Sequence, residues 1–478
     1  MAASLLFYDL ETSGLNPREQ RIMQFAGQRT TLELEPIGDP FNIIIKLSDD
    51  VFPDPDAVLV TGITPQLANK EGVTEAEFLK IFHAHIATPD TIFVGYNTIR
   101  FDDEFMRYTN YRNFYDPYEW HWQDGRSRWD LLDVVRVTRA LRPDGIKWPF
   151  SSDGKATNRL ELLTSLNGLD HDNAHDALND VLATISVARL IRGKQPKLFD
   201  YLLEMRDKKR VEQLVVAGEP FLYTSGKYSG DYEKTTVAVY LCENPRTGAL
   251  VYNLREDPTP WLSKTPEQLA EAWKWKRDAT EPRLPVKTMQ FNRCPAVAPL
   301  TVLDDGSKER LKLDMDVIQK NLAIIKGDAT FCDKVQRAAE ILNKQQQTSF
   351  LANEQLVDAQ LYDGFFNSQD KTKMSAVRSA DGEELTTFAP DFKDERLNAL
   401  LPLYKARNYS KDLTDDERVE WEKYRTTKLM TGGESSHAAR FFKRLGDLAN
   451  EKRLTESERF LLEELQLYGQ SIMPDIEE

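Results

Sequence analysis

Near its start the chain carries the stretch SLLFYDLETSG, residues 4–14, which decides how the rest of the sequence is interpreted. Its first five residues form a short apolar run of the buried-strand type, and the run ends at Asp9. Side chains two apart in an extended strand point to the same side, so Asp9 and Glu11 are expected to lie close together. Paired carboxylates repel each other unless a hard cation lies between them, and such oxygen ligands suit Mg²⁺ or Mn²⁺. Taken alone, an Asp-x-Glu sequence after a strand is also typical of a solvated turn.

Two further acidic clusters lie where predicted strands end or predicted helices begin. The apolar run TIFVG, residues 91–95, leads through a loop to Asp102 and Asp103, and Asp103 could equally cap the helix that follows. The third cluster, NAHDALND, contains His175 and Asp180. Five residues turn an ideal helix by about 140°, so these two converge only if His175 lies in the loop before the helix. A lone histidine of this kind is more often structural than catalytic.

Together the three clusters supply the groups that two-metal hydrolysis of a phosphodiester requires. Two metal ions about 3.5–4 Å apart can hold the attacking and the leaving oxygen. A histidine whose pKa is near neutral can accept the proton of the attacking water. The whole chain has six histidines, and one of them adjoins the third acidic cluster. The ordered set of clusters therefore favours a metal-dependent nuclease.

The chain has 478 residues, which is too many for one ordinary core, and its pattern of strand-like and helix-like segments changes twice. Residues 1–195 alternate strand-like and helix-like runs, which predicts an α/β domain with a mixed sheet. Residues 196–350 carry short segments rich in Val, Thr and Tyr, such as 214–216, 235–241 and 249–254, which predict a small β-barrel with inserted helices. Residues 351–478 read as helical, with capping-box starts at Thr414 and Thr455.

The composition is that of an ordinary soluble protein, with 41% hydrophobic and 29% charged residues. The sequence contains no apolar run of membrane-spanning length and no basic leader, and its three cysteines are widely spaced, so we expect a cytoplasmic protein. The net charge of −15 disfavours a duplex-DNA binder. An enzyme that holds a few nucleotides needs only a locally positive channel, so the charge does not exclude an exonuclease.

Three motifs of the chain resemble those of the DEDDh exonucleases, which have an RNase H-like fold. The motifs are FYDLETSG at residues 7–14, GYN with RFD at 95–102, and HDALND at 175–180. Three more segments resemble the bacterial exonuclease I family: YRNFYDPY at 111–118, SRWDLLD at 127–133 and DAQLYDGFF at 358–366. This second resemblance covers nearly the whole chain. It implies an SH3-like middle domain and an α-helical C-terminal domain after the exonuclease domain.

The resemblance also implies the chemistry and its residues. Asp9, Glu11, Asp102 and Asp180 would bind two Mg²⁺ ions, with Mn²⁺ as the alternative, and His175 would be the general base. The expected reaction is processive 3′→5′ hydrolysis of single-stranded DNA to 5′-mononucleotides, in DNA repair or recombination. We expect the enzyme to act as a monomer.

Residues 98–142 predict a surface that holds a single strand, because they combine eight arginines and eight acids with ten aromatic residues. Aromatic faces stack on bases and guanidinium groups bind phosphates. For Phe105, Phe114 and Trp129 a place in the core is the simpler interpretation. The exonuclease I resemblance favours substrate contact for a further set, besides Glu11: Arg107, Tyr118, Trp122, Arg136, Arg159, Gln360 and Tyr362. The segment around Gln360 and Tyr362 fits a structural loop that packs Phe365 and Phe366 equally well.

Two other functions remain open at this point. An RNA 3′-exonuclease or oligoribonuclease-type enzyme would use the same chemistry, although such enzymes are generally compact single domains. A non-catalytic single-strand-binding scaffold would have lost some of the four carboxylates, and all four are present. The resemblance further implies that the acidic C-terminal tail of single-stranded DNA-binding protein is a partner. Its pocket would be apolar and lined by arginine, for which Arg142 is a candidate.

Overall fold

The computed structural model describes residues 3–169, 176–274, 282–351, 356–388, 390–451 and 454–474. The first domain, over the predicted range 1–195, is built on one five-stranded sheet of order β3-β2-β1-β4-β5. Strands β1, β2 and β3 pair antiparallel, whereas β1, β4 and β5 pair parallel, so the sheet is mixed as predicted. The strands are β1 (Ser4–Thr12), β2 (Ile22–Thr30), β3 (Phe41–Ile44), β4 (Thr91–Gly95) and β5 (Ser127–Asp130).

Helices cover both faces of this sheet. They are α1 (Pro55–Thr61), α2 (Pro65–Glu71), α3 (Glu75–Ile81), α4 (Asp102–Arg112), α5 (Leu131–Leu141), α6 (Leu160–Asn167) and α7 (Ala177–Lys194). The period of two in β1 sends Leu5 and Phe7 to the face that α7 covers, and Leu6 and Tyr8 to the opposite face. All four side chains are buried, and each such burial stabilises the fold by about 1.5–3 kcal/mol. The central strand that carries Asp9 is thereby fixed from both sides.

One helix start in this domain differs from the prediction. The sequence places a helix over Trp129–Leu141, but residues 127–130 form the edge strand β5 and α5 begins only at Leu131. Asp130 is the N-cap, and its carboxylate accepts the amide of Leu132. Trp129 is buried in the core, as expected, with its ring 5.0 Å from that of Phe199. The cap residue stops the helix from extending backwards, and the edge of the sheet takes up the residues before it.

The second domain is an antiparallel five-stranded sheet of order β10-β6-β7-β8-β9 with helices around it. Its strands are β6 (Phe221–Thr224), β7 (Thr235–Glu243), β8 (Ala249–Asn253), β9 (Val286–Met289) and β10 (Ala296–Pro299). Its helices are α8 (Pro196–Glu204), α9 (Lys208–Val216), α10 (Thr259–Leu262), α11 (Pro266–Trp273), α12 (Asp305–Arg310), α13 (Met315–Gly327) and α14 (Phe331–Leu351). The strands predicted near 235–241 and 249–254 are confirmed.

The strand predicted at residues 214–216 is wrong, because these residues form the last turn of α9. Asp207 caps this helix by accepting the amides of Lys209 and Arg210. Val211 and Val215, four residues apart, are both buried against the barrel. A capped helix with one buried face therefore overrides the β preference of two adjacent valines.

The third domain is helical, as predicted. Its helices are α15 (Ser368–Ser379), α16 (Glu384–Thr387), α17 (Glu395–Asn408), α18 (Asp415–Met430), α19 (His437–Ala449) and α20 (Glu456–Ser471). The capping boxes at Thr414 and Thr455 are both present. Phe441 of α19 stacks on Phe52 of the first domain with ring centroids 4.7 Å apart, so the two domains share an apolar contact. Within the described residues no helix is both long and apolar enough to cross a membrane.

Candidate active site

Three carboxylates from two elements converge at the end of the central strand. Asp9 and Glu11 lie on the last part of β1, and Asp180 is the fourth residue of α7, which packs across β1. One ligand oxygen from each of the three lies within 4.8 Å of the other two. Asp176 is the N-cap of α7 and accepts the amide of Asn179, so the cap fixes where the helix begins. That fixed start places Asp180 beside the strand.

Asp102 is held next to this group by the backbone. It is the first residue of α4, it is buried, and its Oδ1 accepts the amide of Leu10 at 3.2 Å. Because Leu10 lies between Asp9 and Glu11, this bond ties the start of α4 to the carboxylate-bearing segment of β1. The four predicted metal ligands thus lie at one end of the parallel strand pair β1 and β4.

Asp103 has a different role from Asp102. It does not cap α4, where residue 101 holds the N-cap position without a side-chain bond. Its Oδ1 instead accepts the hydroxyl of Tyr8 at 2.6 Å, and its other oxygen accepts the guanidinium of Arg128. The two adjacent acids are therefore separated into one that faces the carboxylate group and one that pairs within the core.

The electrostatics of the group are those of a cation site. Burial raises the pKa of Asp9 well above its usual range, and the nearby charges of Asp102 and Asp180 raise it further. Burial together with the charge of Asp9 raises the pKa of Glu11 to about 9. Buried carboxylates that repel one another are stabilised by a hard divalent cation, whose preferred ligands are carboxylate oxygens. The residues present thus fit a divalent metal.

The predicted general base cannot be placed in the same way. His175 lies outside the described residues, as does the rest of 170–175. It directly precedes Asp176 in the sequence, and Asp176 contributes to the raised pKa values of both Asp9 and Glu11.

Several predicted substrate contacts meet around Glu104 in the first turn of α4. Glu104 accepts Nη1 of Arg107 at 2.5 Å and the hydroxyl of Tyr362 from the third domain. The guanidinium of Arg107 is buried and lies over the ring of Tyr118, 5.7 Å from its centroid. Arg293 of the second domain approaches the same Glu104 carboxylate to 3.4 Å. All three domains thus contribute to one group of aromatic and basic side chains.

The other predicted contacts lie in more varied surroundings. Trp122 is 57% exposed and therefore does not belong to the core. Arg159 precedes α6 and pairs with Glu161 at the surface. Arg136 pairs with Asp133 at 2.6 Å, beside a second ion pair that Arg100 makes with the same carboxylate. The backbone carbonyl of Gln360 accepts a guanidinium hydrogen bond at 2.8 Å.

Phe365 is a candidate that the sequence reasoning missed. Its side chain is 85% exposed and its ring lies 5.6 Å from that of Tyr118, whereas Phe366 is partly buried and stacks with Tyr111. The prediction of a loop that packs both phenylalanines is therefore wrong for the first of them. Two adjacent phenylalanines carry no local sequence signal that separates the exposed one from the partly buried one.

Basic residues also line a cleft of about 450 Å³ between the first and second domains. Its lining includes Arg100, Lys227 and Arg293, which come from three separate parts of the sequence. Each of them is an isolated cation in the sequence, so no local pattern could have predicted the cleft.

Three family models match the chain in order: Exonuclease at residues 6–188, Exonuclease I SH3-like domain at 206–340 and Exonuclease I C-terminal domain at 355–472. Exodeoxyribonuclease I of Haemophilus influenzae is 41% identical over 434 residues, which span 89% of this chain and 90% of the relative. The chain belongs to the exodeoxyribonuclease I family. The Escherichia coli member is 38% identical over 429 residues, 88% of this chain and 89% of the relative.

Solved structures of this family have the same fold. A moderately thermophilic exonuclease I from Methylocaldum szegediense matches with a TM-score of 0.92 at 41% identity, covering 98% of this chain and 100% of that one. Escherichia coli exonuclease I in complex with a dA16 oligonucleotide matches with a TM-score of 0.92 at 36% identity and the same coverage. The predicted three-domain fold is confirmed, and the chain is a hydrolytic 3′→5′ exonuclease of single-stranded DNA. The exonuclease family depends on divalent metal ions, in agreement with the carboxylate group.

Proposed function

We propose that the chain removes 3′-terminal nucleotides from single-stranded DNA with two Mg²⁺ ions bound by Asp9, Glu11, Asp102 and Asp180. The observation that carries this assignment is the convergence of Asp9, Glu11 and Asp180 within 4.8 Å, with Asp102 bonded to the same segment of β1. When bound, the ions supply positive charge that activates water and stabilises the leaving oxygen. Mg²⁺ suits an all-oxygen ligand set, and Mn²⁺ would fit the same residues.

His175 is the proposed general base. In the sequence it directly precedes Asp176, the N-cap of α7, and Asp180 follows four residues after that cap. An imidazole with a pKa near neutral can accept the proton of the attacking water and pass it to solvent. The product is a 5′-mononucleotide, because the bond that breaks is the one between phosphorus and the 3′ oxygen of the preceding nucleotide.

The strand path is proposed to run over the aromatic group on the first and third domains. Tyr118, Trp122 and Tyr362 offer ring faces to bases, and the exposed Phe365 adds a fourth. Arg136 and Arg159 are proposed to face the phosphates of the strand, and Gln360 to contact a base or sugar. Arg107 was expected to contact the strand, but its guanidinium is buried against Glu104 and the ring of Tyr118, so it is proposed to hold these two side chains beside the strand. If the first and third domains enclose this path, it would exclude a second strand and favour processive digestion of single-stranded substrate.

A protein partner is proposed as well. A solved complex of SSB and exonuclease I with an inhibitor matches this chain with a TM-score of 0.89 at 36% identity. We propose that this chain also binds the acidic C-terminal tail of single-stranded DNA-binding protein. Arg142 is partly exposed, donates to the carbonyl of Val302 and pairs with Asp304 at 3.2 Å, so a tail carboxylate could take the place of that aspartate. We further propose that the enzyme is cytoplasmic and that it acts as a monomer. Sedimentation of the purified chain would test the oligomeric state.

The deciding experiment compares 3′-labelled single-stranded DNA and RNA in the presence of Mg²⁺. DNA should be degraded faster, and chelation of the metal should stop the reaction. The variant Asp180→Ala should bind the strand without cutting it, while the matched control Asp200→Ala, an exposed aspartate on α8, should cut normally. Faster decay of RNA would refute the substrate assignment, and full activity of Asp180→Ala would refute the metal assignment.

A further inference from the structure

A buried ion network joins the first and third domains behind the strand path. We call it the junction network and define it by Arg21, Asp50, Asp358, Arg407 and Lys428. Asp358 is 2% exposed and accepts Arg21 at 3.2 Å and both terminal nitrogens of Arg407, at 2.8 and 2.6 Å. Asp50 is fully buried and accepts Arg407 at 2.7 Å and Lys428 at 2.6 Å. Each carboxylate is therefore shared between the two domains.

Arg21 connects this network to the metal-binding strand. Its backbone carbonyl accepts the amide of Ser13, and its own amide donates to the Ser13 hydroxyl, both at 2.9 Å. Ser13 lies two residues beyond Glu11 in the sequence. The backbone of Arg21 thus supports the segment that leaves the carboxylate group, while its guanidinium reaches the third domain.

Asp358 connects the network to the segment that carries Tyr362. It lies in the irregular helical turn Val357–Asp363, whose Gln360 and Leu361 carbonyls accept Arg396 at 2.8 and 3.3 Å. The Tyr362 hydroxyl then donates to Glu104, two residues after the start of α4 at Asp102. The contacts form a series that begins at Ser13, directly after β1, and ends at Glu104 in the first turn of α4.

We propose that Arg21 is a positioning residue that sets the Tyr362 turn at a fixed distance from the metal-binding strand, so that a long DNA strand is held in register for each cleavage. The proposal rests on the proposed function, because it assumes that the strand passes Tyr362. A charge pair suits this task better than an apolar contact. A buried charge pair forms only over a small range of distances and angles. Any arrangement of the two domains that separates the partners leaves an uncompensated buried charge, so the pair favours one arrangement. Although burial opposes ionisation, Arg407, Lys428 and Arg21 hold the pKa of Asp358 well below its usual range, so the network is charged at neutral pH.

The test uses Arg21→Met, which keeps an unbranched apolar stem and removes the guanidinium and its charge. We expect KM for a long oligothymidine to rise about tenfold, which corresponds to about 1.4 kcal/mol of lost binding. The number of nucleotides removed per encounter, measured with an excess of unlabelled competitor strand, should fall. The value of kcat on a trinucleotide, which occupies much less of the strand path than the long oligothymidine does, should change by less than about twofold, well under the 1.4 kcal/mol that a tenfold effect represents.

A matched control is available at the same domain interface. Arg425 is a buried arginine of α18 that donates to the backbone carbonyls of Asp49 and Ile472, and it does not bond to the Tyr362 turn. The variant Arg425→Met should lower the melting temperature but leave both KM for the long oligothymidine and kcat on the trinucleotide close to the parent values. If Arg21→Met does not fold, the charge-balanced pair Arg21→Met with Asp358→Asn gives the same measurement. The two single variants and the pair also form a cycle, in which the pair should be no worse than either single change.

Two results would overturn the proposal. One is an equal loss of rate on the trinucleotide and on the long strand. That result would show that Arg21 supports the catalytic residues themselves and does not act through the Tyr362 turn. The other is a smaller number of nucleotides removed per encounter in Arg425→Met as well. That result would show that any weakening of the domain interface shortens the run, with no special role for Arg21. Neither result bears on the metal assignment, which is tested separately by Asp180→Ala.

Discussion

Truncation of Phe365 gives the sharpest test of the strand path. The side chain is 85% exposed, so Phe365→Ala should change the free energy of unfolding by no more than about 0.5 kcal/mol. If the ring stacks on a base beside Tyr118, its removal costs about 1–3 kcal/mol of binding. That range corresponds to an increase in KM of about 5- to 150-fold. Because stacking tolerates any aromatic ring, Phe365→Trp should restore the parent KM.

The assay is steady-state hydrolysis of an oligothymidine, with thermal unfolding of each variant measured in parallel. The neighbouring Phe366→Ala is the control, since Phe366 is partly buried against Tyr111 and the guanidinium of Arg396. It should lower the melting temperature more than Phe365→Ala does. An unchanged KM in Phe365→Ala, with the fold intact, would show that the strand does not pass this turn.

Three further outcomes follow. Trp122→Ala should raise KM by a factor of about 5 or more with little loss of stability, measured as above. Mg²⁺ should raise the melting temperature of the parent but not of Asp180→Asn. Burial opposes ionisation of Asp50, yet Arg407 and Lys428 hold its pKa well below the usual value. Its stabilising contribution is present above about pH 4 and is lost as pH falls towards the folded-state pKa, so Asp50→Asn should be less stable than the parent at neutral pH, and the difference should shrink as the pH is lowered below about 4, as measured by denaturant unfolding.

The parts of the fold that the sequence predicted are those that local physics determines. Residues 4–8 and 91–95 are short apolar runs of the kind that form buried strands, and both are strands in the structure. The capping boxes fixed helix starts in the third domain for the same reason. The errors at residues 127–130 and 214–216 arose where a cap residue, Asp130 or Asp207, outweighed the preference of its neighbours. Such a cap acts only once the chain on both sides is placed.

The sequence predicted the positions of some site residues more completely than those of others. Asp9 and Glu11 follow from the period of a strand, but the approach of Asp180 requires α7 to pack across β1. Asp102 and Asp103 are adjacent and chemically identical, and in the folded chain the positions of Tyr8 and the Leu10 amide decide which one faces the carboxylate group. The local residue pattern does not mark that choice, which only the resemblance of the RFD motif at residues 100–102 implied.

The carboxylate group also explains why a chain of net charge −15 can act on DNA. Burial and mutual repulsion raise the pKa values of Asp9, Glu11 and Asp102, so the folded protein without metal pays for the site in stability. The two divalent ions proposed for this site would reverse the sign of this local field, so that the phosphate at the cleaved bond would meet a positive centre. On the proposed strand path the rest of the strand would need little net charge, because stacking on ring faces would supply much of its binding. The acidity of the surface and the capture of a polyanion are therefore compatible, since different parts of the chain are responsible for each.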